Sequence, residues 1–491
     1  MHLLVSNTET NEDSIPFSEK SKQSNTMANL VDITYETPAE VEEILKPFRL
    51  SNENLKEISK RLLKAMEEGL RNKTVGSDHP SIRPSVKMLS SHLKERPNGT
   101  ENGGFLALDM GGTKLRAYYV EVMNGKIKLE PKSKEWTIPQ ELKNESGTQL
   151  FDYIVKNLGA FVETLKLEGN PKLPLGFSFS FPCDHKSLYK CFLTKWTKGF
   201  KCSGVERKDV AKLLREAIGR KGGLNIHPIV MVNDVVATMM SCEDENCQIG
   251  MIIGTGTNAC YMEEMKNVGT EDGEEGQLCI NTEWGGFGDD DSLKDFLTEF
   301  DKNLDNESDN PGEHIVEKMI SGKYLGEIVW RVLLELKEKK LLFEGSVSDN
   351  LRKKDTFETR FISEIEDEKN GLENADKILS DLDLKVNSTD PSLVKMVCDT
   401  ISSRSARLCA AALVTIANRI RTNRGLPHLK ITVGMDGTVY KKHPNFSEKL
   451  KEALRTLSPE CDINIKVVDD ASGKGAALVA AVAQRLCGQQ G

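Results

Sequence analysis

The chain has 491 residues, 38% hydrophobic and 29% charged, with 66 Lys plus Arg against 75 Asp plus Glu and a formal charge of −9. That length gives two or three domains at roughly 150 residues each, and the acidic balance argues against a phosphate-tracking nucleic-acid surface. No apolar stretch approaches the roughly 20 residues of a membrane span, and the 11 Cys lack CxxC pairs or His-spaced clusters, so reduced thiols in a cytosol-like compartment fit better than a disulfide framework or a structural zinc site.

Residues 1–29 are polar and carry too few apolar positions to offset the entropy of ordering, which predicts a disordered tail. From about residue 52, Leu55, Ile58, Leu62, Leu63, Met66 and Leu70 recur at helical spacing. Residues 73–104, interrupted by Pro80, Pro84 and Pro97 and carrying the pairs Asn98-Gly99 and Gly103-Gly104, read as a turn-rich connector. Strands and helices then alternate, the pattern of an α/β protein. Strands are expected at 105–109, 116–122, 173–180 and 229–232, with helices over 151–165 and 208–219. A second set follows, with strands near 249–253, 259–263, 278–282, 430–433 and 463–468 and long helices near 314–339 and 392–423. Cys409–Ala417 is apolar almost all round and predicts a buried helical spine. The polar segment 301–313 and the charged segment 337–383 read as solvated insertions.

One weak repeat organises the chain. Leu106-Ala-Leu-Asp-Met-Gly-Gly-Thr-Lys, Gly250-Met-Ile-Ile-Gly-Thr-Gly-Thr-Asn and Ile431-Thr-Val-Gly-Met-Asp-Gly-Thr-Val each run from an apolar strand into a glycine turn. Any one could be a plain hairpin. Three together suit a polyphosphate site, because glycine removes Cβ and lets backbone N–H groups converge on an anion. Asp109 ends its strand just before Gly111-Gly112-Thr113, where a carboxylate either shapes the turn or meets Mg²⁺ directly or through water. Neither the GxxxxGK[ST] loop nor a helix-opening GxGxxG is present.

These stretches, with Leu173-Pro-Leu-Gly-Phe-Ser-Phe-Ser-Phe-Pro-Cys, Trp196-Thr-Lys-Gly-Phe-Lys, Val232-Asn-Asp, Asn281-Thr-Glu-Trp-Gly and Val433-Gly-Met-Asp-Gly-Thr-Val-Tyr-Lys, stand in one order from about residue 40 to 487, and in that order the chain resembles the eukaryotic-type hexokinases, including the glucokinase branch. The resemblance implies a two-lobed actin-like ATPase (ribonuclease H-like) fold with discontinuous lobes. The small lobe would take 95–232 plus 471–491 and the large lobe 30–94 plus 233–470. It implies ATP-dependent phosphorylation of glucose, with mannose and fructose, at the 6-hydroxyl. Sugar contacts carry over to Ser180, Thr197, Lys198, Asn233, Asp234, Asn258, Glu283 and Glu317. Phosphate and Mg²⁺ contacts carry over to Asp109, Gly111, Gly112, Thr113, Lys114, Thr255 and Gly256, and nucleotide contacts to Lys323, Thr359, Thr438 and Ser472. Asp234 and Lys198 carry the catalytic roles.

The residue types suit those roles. Paired amides and carboxylates read sugar hydroxyls, and phosphoryl transfer needs positioning, charge neutralisation and a group to take the hydroxyl proton. Asp234 is that group, although by spacing it equally suits an N-cap for a helix over 235–240. Lys198 taken alone would more commonly be a solvated lysine, and its place after Trp196-Thr197 with the resemblance argues instead for a charge beside the sugar or the transferring phosphoryl. The chain departs from the family pattern at Lys114, where Asn is usual, at His314, where Gln touches the sugar, and at Ala471, where the usual Gly-Ser-Gly begins. The length fits one catalytic unit, and the start lacks the apolar helix by which some relatives attach to mitochondria, so a cytoplasmic enzyme is expected. A non-sugar ATPase of the same fold would have no use for Asn233-Asp234, and a sugar sensor that kept the pocket and lost the chemistry would have no need of Asp109, Lys198 and Asp234.

Overall fold

A computed structural model describes residues 38–71, 84–271, 273, 275–346 and 348–488; the tail expected over 1–29 lies outside them. The strands, numbered along the chain, are β1 Leu89–Ser90, β2 Gly103–Met110, β3 Lys114–Met123, β4 Lys126–Ile127, β5 Lys132–Thr137, β6 Leu173–Phe179, β7 Cys183–Ser187, β8 Lys190–Leu193, β9 Ile226–Val232, β10 Cys247–Ile253, β11 Thr257–Glu264, β12 Gln277–Asn281, β13 Leu429–Asp436 and β14 Cys461–Val467. One sheet runs β4-β3-β2-β6-β9 with β5 on β3, the other β1-β12-β11-β10-β13-β14, and β7 pairs β8 in a separate hairpin. In each sheet a glycine turn joins two antiparallel strands, β2 to β3 and β10 to β11, while β6 and β9, or β13 and β14, add in parallel.

The helices are α1 Ala39–Leu45, α2 Asn52–Arg71, α3 Gly147–Leu165, α4 Val210–Lys221, α5 Asp234–Ser241, α6 Glu299–Asn306, α7 Ile315–Ile320, α8 Leu325–Glu338, α9 Asp349–Arg352, α10 Thr359–Ile365, α11 Gly371–Asp381, α12 Asp390–Asn423, α13 Thr438–Lys442, α14 Phe446–Leu457 and α15 Ala471–Gly488. Alternation along β2 explains why both faces of the first sheet are covered. Leu106, Leu108 and Met110 join a core with α3 and α4, while Phe105 and Ala107 join one with α5 and α15. The second sheet divides likewise: Ile249, Met251 and Ile253 of β10 face the core of α2, α8 and α12, and Cys247 faces α5. Helix α5 therefore lies between the two sheets, packed on α15. The crossing demands a glycine, because a Cβ on Gly475 would sit 1.9 Å from the Ala237 carbonyl oxygen.

The buried spine is as expected, since every residue from Cys409 to Ala417 is buried within α12. Four expectations are corrected. Gly103-Gly104 opens β2 instead of turning, and the helix expected near 314–339 is broken into α7 and α8 by the turn Ser321–Tyr324. The third glycine motif passes from β13 into α13 and is no hairpin. The segments read as solvated insertions are instead built into the core. Asp301 is buried on α6 and grips Arg404 of α12 through two bonds of 2.7 and 2.8 Å, and Ile362, Ile365, Ala375 and Leu379 pack from α10 and α11 into the core of α12. Their charges mislead because amphipathic helices reserve one face for the core.

Candidate active site

The loop after β8 is fixed by aromatic packing. Trp196 stacks on Phe200 at 5.2 Å, meets Phe181 edge-on at 4.9 Å, and donates from Nε1 to the Cys202 carbonyl at 2.9 Å. Thr197 and Lys198 follow from that anchor, with Lys198 in the left-handed region at φ 56° and its ammonium bonded to the Ser180 carbonyl. Ser180 directly follows β6 and donates its N–H to the Met110 carbonyl at 3.1 Å, so Ser180, Lys198 and the end of β2 form one edge of the site. Gly112 lies against the Lys198 side chain.

Helix α5 begins at Asp234. Its N-cap is Asn233, whose Oδ1 accepts the Val235 N–H at 2.9 Å, and Asp234 Oδ1 accepts the same N–H at 2.8 Å. Burial raises the Asp234 carboxyl above its ordinary range; Lys198 pulls it down, while Glu283 and Asp436 push it up. At the end of β2, burial raises Asp109 to about 6, opposed chiefly by Arg116, 3.7 Å away, and assisted by Asp234. Charge coupling thus runs from Asp109 to Asp234 and from Asp234 to Asp436 at the end of β13, so strands of both sheets end around the start of α5.

Across from Lys198, Asn258 of β11 donates from Nδ2 to Glu283 Oε1 at 3.1 Å and accepts the Glu283 N–H on Oδ1 at 3.1 Å. Asn281, absent from the expected site, also donates to Glu283 Oε1 at 2.8 Å and accepts from Asn258 at 2.9 Å. Glu283 stands in the left-handed region at φ 51° before the turn Trp284–Gly286. Glu317 of α7 accepts the Thr257 N–H at 3.0 Å, an approach that requires glycine beside it, since a Cβ on Gly256 would lie 2.6 Å from Glu317 Oε2. His314, just before α7, points Nδ1 to within 3.6 Å of Glu317 Oε1.

The second glycine turn, Gly254 to Gly256, packs against Gly437 beside Thr438, and its carbonyls accept N–H groups of Gly322 at 2.8 Å and Lys323 at 3.1 Å. Thr359 opens α10, donating to the Gly322 carbonyl at 2.7 Å and accepting the Gly326 N–H at 2.9 Å. Thr255, Gly256, Lys323, Thr359 and Thr438 are therefore joined in one group. In the first turn, Gly111 to Thr113, the Gly111 side is open, for a Cβ there would meet nothing within 4 Å. Lys114 forms an exposed ion pair with Glu135, which also accepts from Arg116 at 2.7 Å. Ser472 lies in the first turn of α15, where Gly473 meets Tyr118, and the Tyr118 phenol is raised by burial and by the charges of Asp470 and Asp109.

Among the described residues no group of three His, Cys, Asp or Glu side chains gathers to hold a metal. One carboxylate beside an open glycine turn fits Mg²⁺ arriving with phosphates and keeping its own waters, since this ion is usually bound by one or two carboxylates plus substrate oxygens.

Two family models described as hexokinase match the chain, over residues 40–243 and 248–482. Human Hexokinase-2 is 47% identical over 461 residues, 93% of this chain, and rat Hexokinase-1 is 46% identical over 452 residues, 91% of it. The chain spans about half the length of these curated relatives, 50% and 48% respectively. Among solved structures, the hexokinase of Schistosoma mansoni complexed with glucose is 40% identical with TM-score 0.79, covering 90% of this chain and 98% of that one. Another crystal structure of a hexokinase is 29% identical with TM-score 0.78, covering 90% and 99%.

Proposed function

The chain belongs to the hexokinase family and has its two-lobed actin-like ATPase fold, and from that premise we propose that it transfers the γ-phosphoryl of ATP to the 6-hydroxyl of glucose, accepting mannose and fructose as well. The lobes would comprise 95–232 with 471–491, and 30–94 with 233–470. Asp234 takes the hydroxyl proton as the sugar oxygen attacks the γ-phosphorus and ADP departs. Lys198, held beside Ser180, offsets negative charge at the reacting centre. Asn233, Asn258, Glu283 and Glu317, with Ser180 and Thr197, hold the remaining hydroxyls in the orientation that aims the 6-hydroxyl at Asp234. Gly111, Gly112, Thr113, Thr255 and Gly256 cradle phosphates, with Lys114, Lys323, Thr359, Thr438 and Ser472 around the nucleotide. Mg²⁺ held through water by Asp109 would neutralise phosphate charge.

The observation that carries this reading is the convergence on one helix start of a partly buried carboxylate raised by desolvation, a lysine, and an amide-carboxylate cluster. Placement in the cytoplasm accords with eleven free thiols and with the finding that no helix among the described residues is long and apolar enough to cross a membrane. A coupled assay of ADP release from ATP against glucose, mannose, fructose and galactose tests the reading. Glucose-dependent turnover is expected, and ATP consumption indifferent to all four sugars would sink it.

A further inference from the structure

Glu366 lies outside the site yet connects two of its parts. It is 1% exposed and caps the C-terminal end of α10, the helix that Thr359 begins. His443, 5% exposed, caps the C-terminal end of α13, the helix that Thr438 begins. The Asn445 N–H approaches His443 Nδ1 at 3.3 Å, and the other ring nitrogen, Nε2, lies 3.3 Å from Glu366 Oε1 as an electrostatic contact and not a hydrogen bond. Asn445 Nδ2 donates to the Glu366 carbonyl at 3.0 Å. The other carboxylate oxygen takes the Lys449 ammonium of α14, and Ser402 of α12 donates to Oε1 at 2.6 Å. Burial alone would raise this carboxyl, but His443 and Lys449 outweigh it and hold it below its ordinary range, so the group is ionised at neutral pH.

The contacts close into a ring. From Gly254 the path runs through Gly322 to Thr359, along α10 to Glu366, across to His443, and back along α13 to Gly437 against Gly254. Both helices are short, about 10 Å and 7 Å at 1.5 Å per residue, and too short to hold their own direction without packing. We propose that Glu366 is a positioning residue for the nucleotide half of the site, fixing the distance between Thr359 and Thr438 by tying together the far ends of the helices they begin. This inference rests on the reading above of those two threonines as nucleotide contacts. Glu366 touches neither the sugar cluster nor Asp234, so its removal loosens one half of the site only.

The test is Glu366→Gln, which keeps the shape and removes the charge that His443 and Lys449 face. Binding of Mg·ADP to the glucose-saturated full chain is measured by calorimetry, and the KM for ATP, the KM for glucose and kcat by the coupled assay. ADP affinity is expected to fall and the KM for ATP to rise by about tenfold, with the KM for glucose within twofold and kcat within threefold. Glu366→Asp should recover part of the loss. If Glu366→Gln does not fold, His443→Gln is measured in the same way and is held to the same split. Unchanged ADP affinity in a folded variant, or equal losses for ADP and glucose, overturns the proposal. Parent protein that binds no ADP overturns the nucleotide reading itself and the inference with it, an outcome distinct from a parent that binds and a variant that binds equally well.

Discussion

Asn233 caps the helix that Asp234 begins, its Oδ1 accepting the Val235 N–H at 2.9 Å. Asp234 Oδ1 shares that N–H at 2.8 Å, so the carboxylate does not carry the cap alone, and it also faces the charges of Lys198 and Glu283. Asp234→Asn keeps size and a hydrogen-bond acceptor, so melting temperature should hold and glucose affinity should stay within about tenfold, while turnover falls at least about a hundredfold, the usual worth of a general base. Calorimetric glucose binding beside steady-state rates separates the two. Turnover within tenfold of the parent would make Asp234 a second cap and leave another group as the base.

Lys198 pulls the Asp234 carboxyl down against burial and against two neighbouring carboxylates. A base works only when ionised, so the rate falls as pH drops through its pKa. Removing the lysine charge in Lys198→Met takes away the downward pull, so besides lowering the rate it should move the acid limb of kcat/KM for glucose to higher pH. An acid limb that stays where it is, at whatever rate, would show that the lysine does not act on the base.

How much of this was legible in the sequence depended on where the information sits. Asp109, Asn258 and Glu283 belong to apolar strands and the tight turns after them, and such residues keep their places because the strand register fixes them. Asn281 was missed although it lies two residues before Glu283 and directly after the apolar run Leu278-Cys279-Ile280, all three buried; a polar residue there is itself a signal. Glu366 and Asp301 were illegible for the opposite reason. They stand in charge-rich segments, and only the fold brings Arg404, more than a hundred positions away by sequence, onto Asp301.

Asn281 spends its amide on Glu283 and its carbonyl on Asn258. A hydrogen bond to a charged group contributes roughly 1.5–3 kcal/mol. Asn281→Ala lets the Glu283 carboxylate turn, so glucose affinity should fall by about tenfold or more by that estimate, with Mg·ADP affinity unchanged. Titration of each ligand decides it, and glucose affinity within twofold of the parent would return Asn281 to the status of a packing residue.

Asp301 and Arg404 set a prediction about stability at a buried pair outside the sugar cluster. The Arg404 side chain is 0% exposed and the Asp301 side chain 4%, and two bonds join them while Thr298 donates to the same carboxylate at 2.7 Å. Burial alone would raise the Asp301 carboxyl, but Arg404 outweighs it and holds it below its ordinary range. A depressed carboxyl contributes stability above its unfolded pKa, about 3.9, and loses it as pH falls through the lower folded value. Asp301→Asn leaves the guanidinium buried without its counter-charge, a change that costs about 3–5 kcal/mol. Urea unfolding at neutral pH should show that loss. As pH falls through the folded value the parent loses this contribution and the variant does not, so the gap between them should narrow. The kcat of the folded variant should match the parent. The double change Asp301→Leu with Arg404→Met should recover most of the stability, because the penalty comes from the stranded charge and not from the lost attraction. A single variant less than about 1 kcal/mol weaker than the parent, the scale of an exposed pair, would mean that water reaches Arg404 and that this end of α6 opens in solution.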